Sequence, residues 1–406
     1  MKPMTKADVQ TYLVKKGIFT PGAHFYTVDI LEETDTAEGY VNHIFQVKDL
    51  VTQKSVVVKQ VMPYMLAMVK ATGEEHPFSM DRMRTEIRTL AFLNKLCEGI
   101  VPDIYLADYA AGIFVMEDLS HLDLMRFQIT AGVEYPDFGK RMGAFLAGLC
   151  FYTSPDYLSP SAQTKMEAYF QSEESNRLNA FLTTDCPLIN LAKPMEPENA
   201  PLRERIANNP DILKMIAHLS ERFEHSHQCL SHNDLHTSNI MLNASELKIL
   251  DTEFSGFSAG FMDMGRLTSS FILNHVSWLG TPEIPMATRT RMQSYDLGVI
   301  SDLHHAFNRM FQKLWQKHGL DGDCAATVDA ILRDALNYAT VSATIRITSD
   351  FAQSCEIKRI KKREDLAHIQ RRVLEVAEYT LLHQDQFHEI EDYCDFLRCC
   401  CDITVQ

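Results

Sequence analysis

Three features that would fix a protein's class at once are missing from this sequence. No run approaches the roughly 18 consecutive apolar residues of a membrane span, and the opening MKPMTKADVQTYLVKKG lacks the apolar core of a secretory signal. That argues for a cytoplasmic chain without a membrane partner. The ten cysteines are scattered and contain no C-x-x-C pair, so neither a disulfide framework nor a zinc site is indicated. The terminal Cys399-Cys400-Cys401 reads instead as a helix carrying small apolar side chains. Basic residues are in short supply: 39 Lys and Arg stand against 54 Asp and Glu, a formal net charge of −15. A chain this acidic is a poor nucleic-acid binder, and any site for an anionic nucleotide must be locally basic or metal-assisted.

With 406 residues, 46% hydrophobic and 23% charged, the chain suits a folded protein of two lobes sharing one cleft. A short helix over 4–17, with Thr5 as its cap, precedes β-like runs at 24–31, 43–47 and 55–61. A helix follows over 79–97, with Ser79 as a possible cap. Two further strands lie at 104–109 and 112–115. Beyond Tyr135 the pattern turns helical, with candidates at 135–152, 164–181, 212–225, 288–318, 325–348, 361–383 and 385–401, and a Pro- and Asn-rich loop over 183–201. The fold class is therefore α+β. A β-rich N-terminal lobe, residues 1–118 with a five-stranded sheet and a helix, is followed by a larger helical lobe, residues 119–406.

One stretch organises the rest. Residues 229–267 read CLSHNDLHTSNIMLNASELKILDTEFSGFSAGFMDMGRL. The front half holds His232, Asp234 and Asn239 as H-x-D-x-x-x-x-N; the back half holds Asp251 and Glu253 as D-x-E. Phosphoryl transfer asks for little covalent chemistry but much positioning and charge neutralisation. Asp234 suits the carboxylate that takes the acceptor's proton. Asn239, Asp251 and Glu253 offer hard oxygen ligands for Mg²⁺. In an extended segment residues two apart point the same way, so Asp251 and Glu253 are expected on one side. His232 and His236 are four apart, but the loop context and the intervening Asp234 fit zinc poorly; His232 is read as packing to hold the loop. Asp263, in a glycine-flanked turn into a helix, is read as structural.

The N-terminal lobe supplies the partners. Lys59 ends a buried β-run and needs a counter-charge, which Glu86 on the next helix can provide. The segment from Glu117 to Leu119 suits a hinge whose backbone pairs with an adenine edge, and equally an ordinary strand exit. The loop from Thr34 to Asn42 is compatible with a plain hairpin or, through Gly39, with a phosphate cover. Together these residues read as an ATP-dependent phosphotransferase acting on a small hydroxylated molecule.

The order HNDLHTSNI, LDTEF, GFMDMG resembles the methylthioribose kinases, a branch of the aminoglycoside-phosphotransferase and choline-kinase group. Val58-Lys59-Gln60, the segment from Pro77 to Arg82 and the segment from Val115 to Ser120 have counterparts in the same order. The resemblance implies a bilobal, protein-kinase-like fold, ATP and Mg²⁺ as cofactors, and a homodimer. It implies phosphorylation of the anomeric hydroxyl of 5-methylthioribose in methionine salvage. Asp234 would be the base, Lys59 would meet the ATP phosphates with Gly39 and Asn42 in the covering loop, and Asp251 and Glu253 would hold the metal. Substrate contacts would fall to Arg346 and to the position of His76. Three departures stand out: the glycine loop keeps only Gly39 and Asn42, His76 replaces a tryptophan, and Ile347 replaces a second arginine after Arg346. Another pentose, an amino alcohol or an aminoglycoside is therefore also open as the acceptor.

Overall fold

A computed structural model describes residues 2–30, 41–66, 69, 73–171, 186–348, 353–401 and 403. Gly39 and most of the loop that contains it lie outside the described residues. The chain divides into two compact units. The first takes residues up to Asp123 together with Met241–Phe254; the second takes Leu124–Gln171, 186–240 and everything from Ser255 onward.

In the first unit, helix α1 (Lys6–Lys15) starts at Thr5, whose hydroxyl accepts from Asp8 N–H while the Asp8 carboxylate accepts from Thr5 N–H. Strands β1 (Phe25–Asp29), β2 (His43–Asp49) and β3 (Ser55–Gln60) follow. Helix α2 (Asp81–Leu96) comes next, then β4 (Ile104–Asp108) and β5 (Ile113–Glu117). The five strands form one antiparallel sheet in the order β1-β2-β3-β5-β4. One face packs on α1 through Val9, Leu13, Phe45, Val56 and Val58. Val61, Met83 and Phe114 join the sheet to α2. Helix α2 begins one residue later than expected: Met80 is its cap residue, and Ser79 Oγ accepts from Asp81 N–H.

The second unit is mainly helical: α3 (Met125–Thr130), α4 (Phe138–Thr153), α5 (Pro160–Tyr169), α6 (Ala200–Ala207) and α7 (Pro210–His225) come first. After the central stretch come α8 (Met262–Ser277), α9 (Met286–Lys317), α10 (Cys324–Ile345), α11 (Cys355–Lys358), α12 (Arg363–His383) and α13 (Ile390–Cys400). The α+β class is therefore as expected. Several segments differ locally: the helix expected over 164–181 ends at Tyr169, and the last helix, expected from 385, starts at Ile390 after a tight turn over Gln384–Gln386. Helix α5 starts at Pro160 behind a Ser159 cap, four residues before the expected start, because proline favours the first helical position. Helix α6 begins inside the stretch read as a loop.

Helix α8 is buried along all of its 16 residues. Glycines allow the helices around it to approach closely. A Cβ on Gly265 of α8 would sit 2.7 Å from Ala335 O of α10. On α4, a Cβ at Gly139 would sit 2.7 Å from Val299 O of α9, and one at Gly143 would overlap Leu303 O. Among the described residues no helix is long and apolar enough to cross a membrane.

Candidate active site

In the first unit a buried ionic network joins β3, α2 and the segment after the hairpin of Ile240–Leu242 and Leu247–Ile249. Lys59 is buried on β3, between Ile44 of β2 and Phe114 of β5. Its ammonium meets Glu86 Oε1 at 2.7 Å and also pairs with Asp251. Burial alone would lower the Lys59 pKa, but Asp251, Glu86 and Glu253 together hold it above its ordinary value, so Lys59 stays charged. Glu86 is pushed up to about 8 by burial, with Asp251 and Glu253 adding repulsion. Its Oε2 has no hydrogen-bond partner among the described residues.

Arg82, one turn before Glu86 on α2, organises a second group. Its guanidinium donates to Asn42 Oδ1 at 2.8 Å, to Met62 O at 2.6 Å and to Ser79 O at 2.7 Å, and lies 3.2 Å from Glu253 Oε2. Asn42 Nδ2 donates to the same Glu253 oxygen at 3.0 Å. Asp251 and Glu253 therefore take different partners, and their placement does not follow from the expected strand-like alternation. Asp251 has a left-handed backbone (φ 55) and 252–254 form a tight turn, so the alternation of an extended segment does not apply. Asp251 turns to Lys59 with a third of its side chain exposed; Glu253 turns to Arg82 and is buried.

Beside Lys59 lies a cavity of about 210 Å³, lined by Ile44, Val57, Leu90, Met116, Leu119 and Leu250 and reached by Lys59, Glu86 and Asp251. Apolar walls suit a flat base, and the charged side chains suit phosphates and their counter-ion, so these residues fit a nucleotide. Glu117 also lines the cavity, but its N–H donates to Asp103 O at 2.9 Å and its carboxylate accepts from Lys248 at 3.1 Å. His76 is exposed on this unit.

The second unit holds the front half of the stretch. Strand Cys229–Ser231 pairs antiparallel with Gly256–Ser258 and leads into a loop fixed by Asp263 at the start of α8. The Asp263 carboxylate accepts from His232 N–H at 2.8 Å and Asn233 N–H at 2.9 Å. Asn233 takes a left-handed backbone (φ 67), which turns the next residue, Asp234, back over α8. His232 Nδ1 accepts from Asp234 N–H at 3.3 Å, and Asn239 Nδ2 donates to Asp234 O at 2.9 Å.

Asp234 Oδ1 accepts from Arg266 Nη2 at 2.8 Å, with Arg346 Nη2 at 3.8 Å. Oδ2 faces His236 Nε2 at 3.5 Å. His236 Nδ1 accepts from Ser238 N–H at 3.2 Å and faces an Arg126 N–H at 3.3 Å, so the ring proton sits on Nε2. Burial pushes this imidazole down to about 3, and it is neutral at pH 7. Burial would raise the Asp234 pKa; His236 beside it, then Arg266 and Arg346, reverse that and hold the carboxyl well below its ordinary range.

Of the residues singled out in the sequence, Asn42, Lys59, Glu86, Glu117, Leu119, Asp251 and Glu253 gather in the first unit; Asp234, Asn239 and Arg346 gather in the second. Ile347 is fully buried. Sequence reasoning missed Arg82 and Arg266. Arg82 had a signal, a charged residue four positions before Glu86 on one helix face.

Residues 34–278 match the model of the phosphotransferase enzyme family. The chain is 26% identical to a methylthioribose kinase of Bacillus velezensis over 400 residues, spanning 97% of this chain and 95% of that one. It is 28% identical to a methylthioribose kinase of Cronobacter sakazakii over 346 residues, 82% and 84% of the two chains. Among solved structures it is similar to a Plasmodium vivax ethanolamine kinase, at 13% identity and a TM-score of 0.49 over 95% and 92% of the two chains. The family match spans more than half of the sequence, so the chain belongs to the phosphotransferase enzyme family, as an enzyme that phosphorylates a hydroxyl group.

Proposed function

We propose that this enzyme is a methylthioribose kinase, moving the terminal phosphate of ATP to the 1-hydroxyl of 5-methylthioribose in methionine salvage. The observation that carries the reading is the setting of Asp234, flanked by the guanidiniums of Arg266 and Arg346. Asp234, Arg266 and Arg346 together carry one net positive charge, towards which a cationic acceptor such as an amino alcohol or an aminoglycoside would bring its ammonium. At 4 Å and an effective dielectric near 20, such a contact costs about 4 kcal/mol. A neutral, hydroxyl-rich pentose incurs no such repulsion and gains donors for its ring and hydroxyl oxygens. The near full-length likeness to methylthioribose kinases supports the same acceptor.

Asp234 acts as the base in this reading. Its Oδ1 is held by arginine, which leaves Oδ2 to take the proton of the acceptor hydroxyl. Lys59 orients the nucleotide phosphates, Glu86 keeps Lys59 in place, and the apolar cavity takes the base between Ile44, Val57, Met116 and Leu119. Gly39 and Asn42 belong to the covering loop, and His76 to the acceptor side. Mg²⁺, when bound, supplies charge neutralisation for the phosphates; in the first unit Asp251 and Glu253 would offer it hard oxygen donors, Asp251 the more exposed of the two. A homodimer in the cytoplasm completes the reading.

The test is ADP release against a panel of methylthioribose, 5-deoxyribose, ribose, choline and an aminoglycoside, with Mg²⁺ and with chelator. Methylthioribose should give the highest kcat/KM, chelator should stop the reaction, and Asp234→Asn should remove turnover while nucleotide still binds. Turnover of choline without turnover of any pentose would sink the assignment.

A further inference from the structure

We infer that Arg266 is the positioning residue of the catalytic carboxylate. It fixes one Asp234 oxygen so that the other faces the acceptor, while contact with the acceptor falls to Arg346. The inference rests on Asp234 being the base, and on the following geometry.

Helix α8 grips the loop at two points one turn apart. Asp263 takes the backbone N–H groups of His232 and Asn233, and Arg266 takes the side chain of Asp234. Arg266 is itself locked from behind. Its Nη1 donates to Ser342 Oγ on α10 at 2.9 Å; Ser342 Oγ lies 3.1 Å from Ser269 Oγ, and Ser269 donates back to Arg266 O at 2.7 Å. A guanidinium is a rigid planar fork, so one arm on Ser342 sets the direction of the arm that meets Asp234.

The two arginines divide the work by burial and distance. Arg266 is 7% exposed and at hydrogen-bond distance from Oδ1. Arg346 approaches the same oxygen only to 3.8 Å and keeps a fifth of its side chain exposed. The other oxygen, Oδ2, has His236 Nε2 at 3.5 Å, beyond a good hydrogen bond. Arg266 thus holds one oxygen, and the other, facing only the long contact with the His236 Nε2–H, stays open to the acceptor's proton. A group that acts only through the base should change turnover and leave acceptor affinity alone.

The experiment measures kcat and KM for the acceptor that wild type turns over best, and ADP release to water without acceptor. The variants are Arg266→Met, Arg266→Lys, Ser342→Ala and Arg346→Met. Arg266→Met should lower kcat by about a hundredfold with acceptor KM within threefold. Arg266→Lys, which restores the charge without the fork, should recover at least tenfold of that loss. Ser342→Ala should lower kcat by three- to tenfold, and Arg346→Met should act mainly on KM. Thermal melts of each variant show that it is folded; if Arg266→Met is not, the lysine and Ser342→Ala variants carry the test. The inference is overturned if Arg266→Met keeps kcat within threefold, if its loss lies in acceptor KM, or if Arg266→Lys is no better than Arg266→Met. If wild type phosphorylates nothing in the panel, the acceptor assignment falls on its own. Arg266 is then judged by the same ratios in ADP release to water.

Discussion

Adding a single methyl group to α4 should have opposite effects at two glycines five residues apart. At Gly143 the methyl would overlap Leu303 O and lie 2.9 Å from Ala306 Cβ and 3.0 Å from Phe307 N, all on α9. A backbone oxygen cannot rotate aside, so α4 and α9 must separate by about 1 Å across the seam opposite Leu303, Ala306 and Phe307. Overpacking of this kind costs about 1–3 kcal/mol, and more where only backbone can give way. Replacing glycine by alanine in a helix returns about 1 kcal/mol of propensity. The steric cost should win, and Gly143→Ala should lose about 2 kcal/mol. At Gly148 nothing lies within 4 Å of the added Cβ, so only the propensity gain remains. The two variants should therefore differ by about 3 kcal/mol, or roughly 3–5 °C in melting temperature for a chain of 406 residues. Circular dichroism melts of wild type and both variants read this directly. Gly143→Ala melting at or above wild type would show that the seam is looser than these distances allow, and would refute the reasoning.

Three other expectations concern separate parts of the molecule. Arg82→Met leaves Glu253 buried without its cation and should destabilise by about 3–5 kcal/mol, whereas the double variant Arg82→Met/Glu253→Gln should cost less than either change implies alone; a double-mutant cycle on urea midpoints measures this. Val57→Trp places a ring in the cavity beside Lys59 and should weaken binding of an ATP analogue at least tenfold by calorimetry, with the melting temperature little changed. His275 and His304 are buried neutral, held down to about 4 and about 3 against an ordinary 6.5. Stability is therefore full above about pH 6.5 and falls towards pH 4, by about 2 kcal/mol per histidine between pH 7 and 5. His304→Gln should remove its share of that slope in melts at the two pH values.

The sequence carried local and pairwise information well. Thr5 announces the start of α1, and its side chain does cap the helix; the reciprocal bond from Asp8 is an addition of the structure. Lys59 at the end of a β-run and Glu86 on the next helix could be matched because both sit on regular elements whose periods are known, and they meet at 2.7 Å. Asp251 and Glu253 were misjudged because side-chain alternation belongs to extended backbone, and Asp251 leaves it. Arg266 was invisible for a different reason. Helix α8 is covered on every side, so it has no polar face or apolar stripe, and nothing in its pattern distinguishes an arginine with a buried partner from one at the surface. Gly39 lies outside the described residues, so the covering loop adds nothing to either side of this comparison.

The backbone at Asp251 has a consequence for how the enzyme changes under selection. A left-handed position suits glycine or asparagine, and here it carries a carboxylate close to Glu86 and Glu253 with Lys59 shared among them. Asparagine would keep the backbone preference and remove one of the crowded charges. If Asp251 holds the metal as proposed, a search that scored only backbone fit would admit Asp251→Asn and lose turnover. The charge at this position survives only where turnover itself is what is selected.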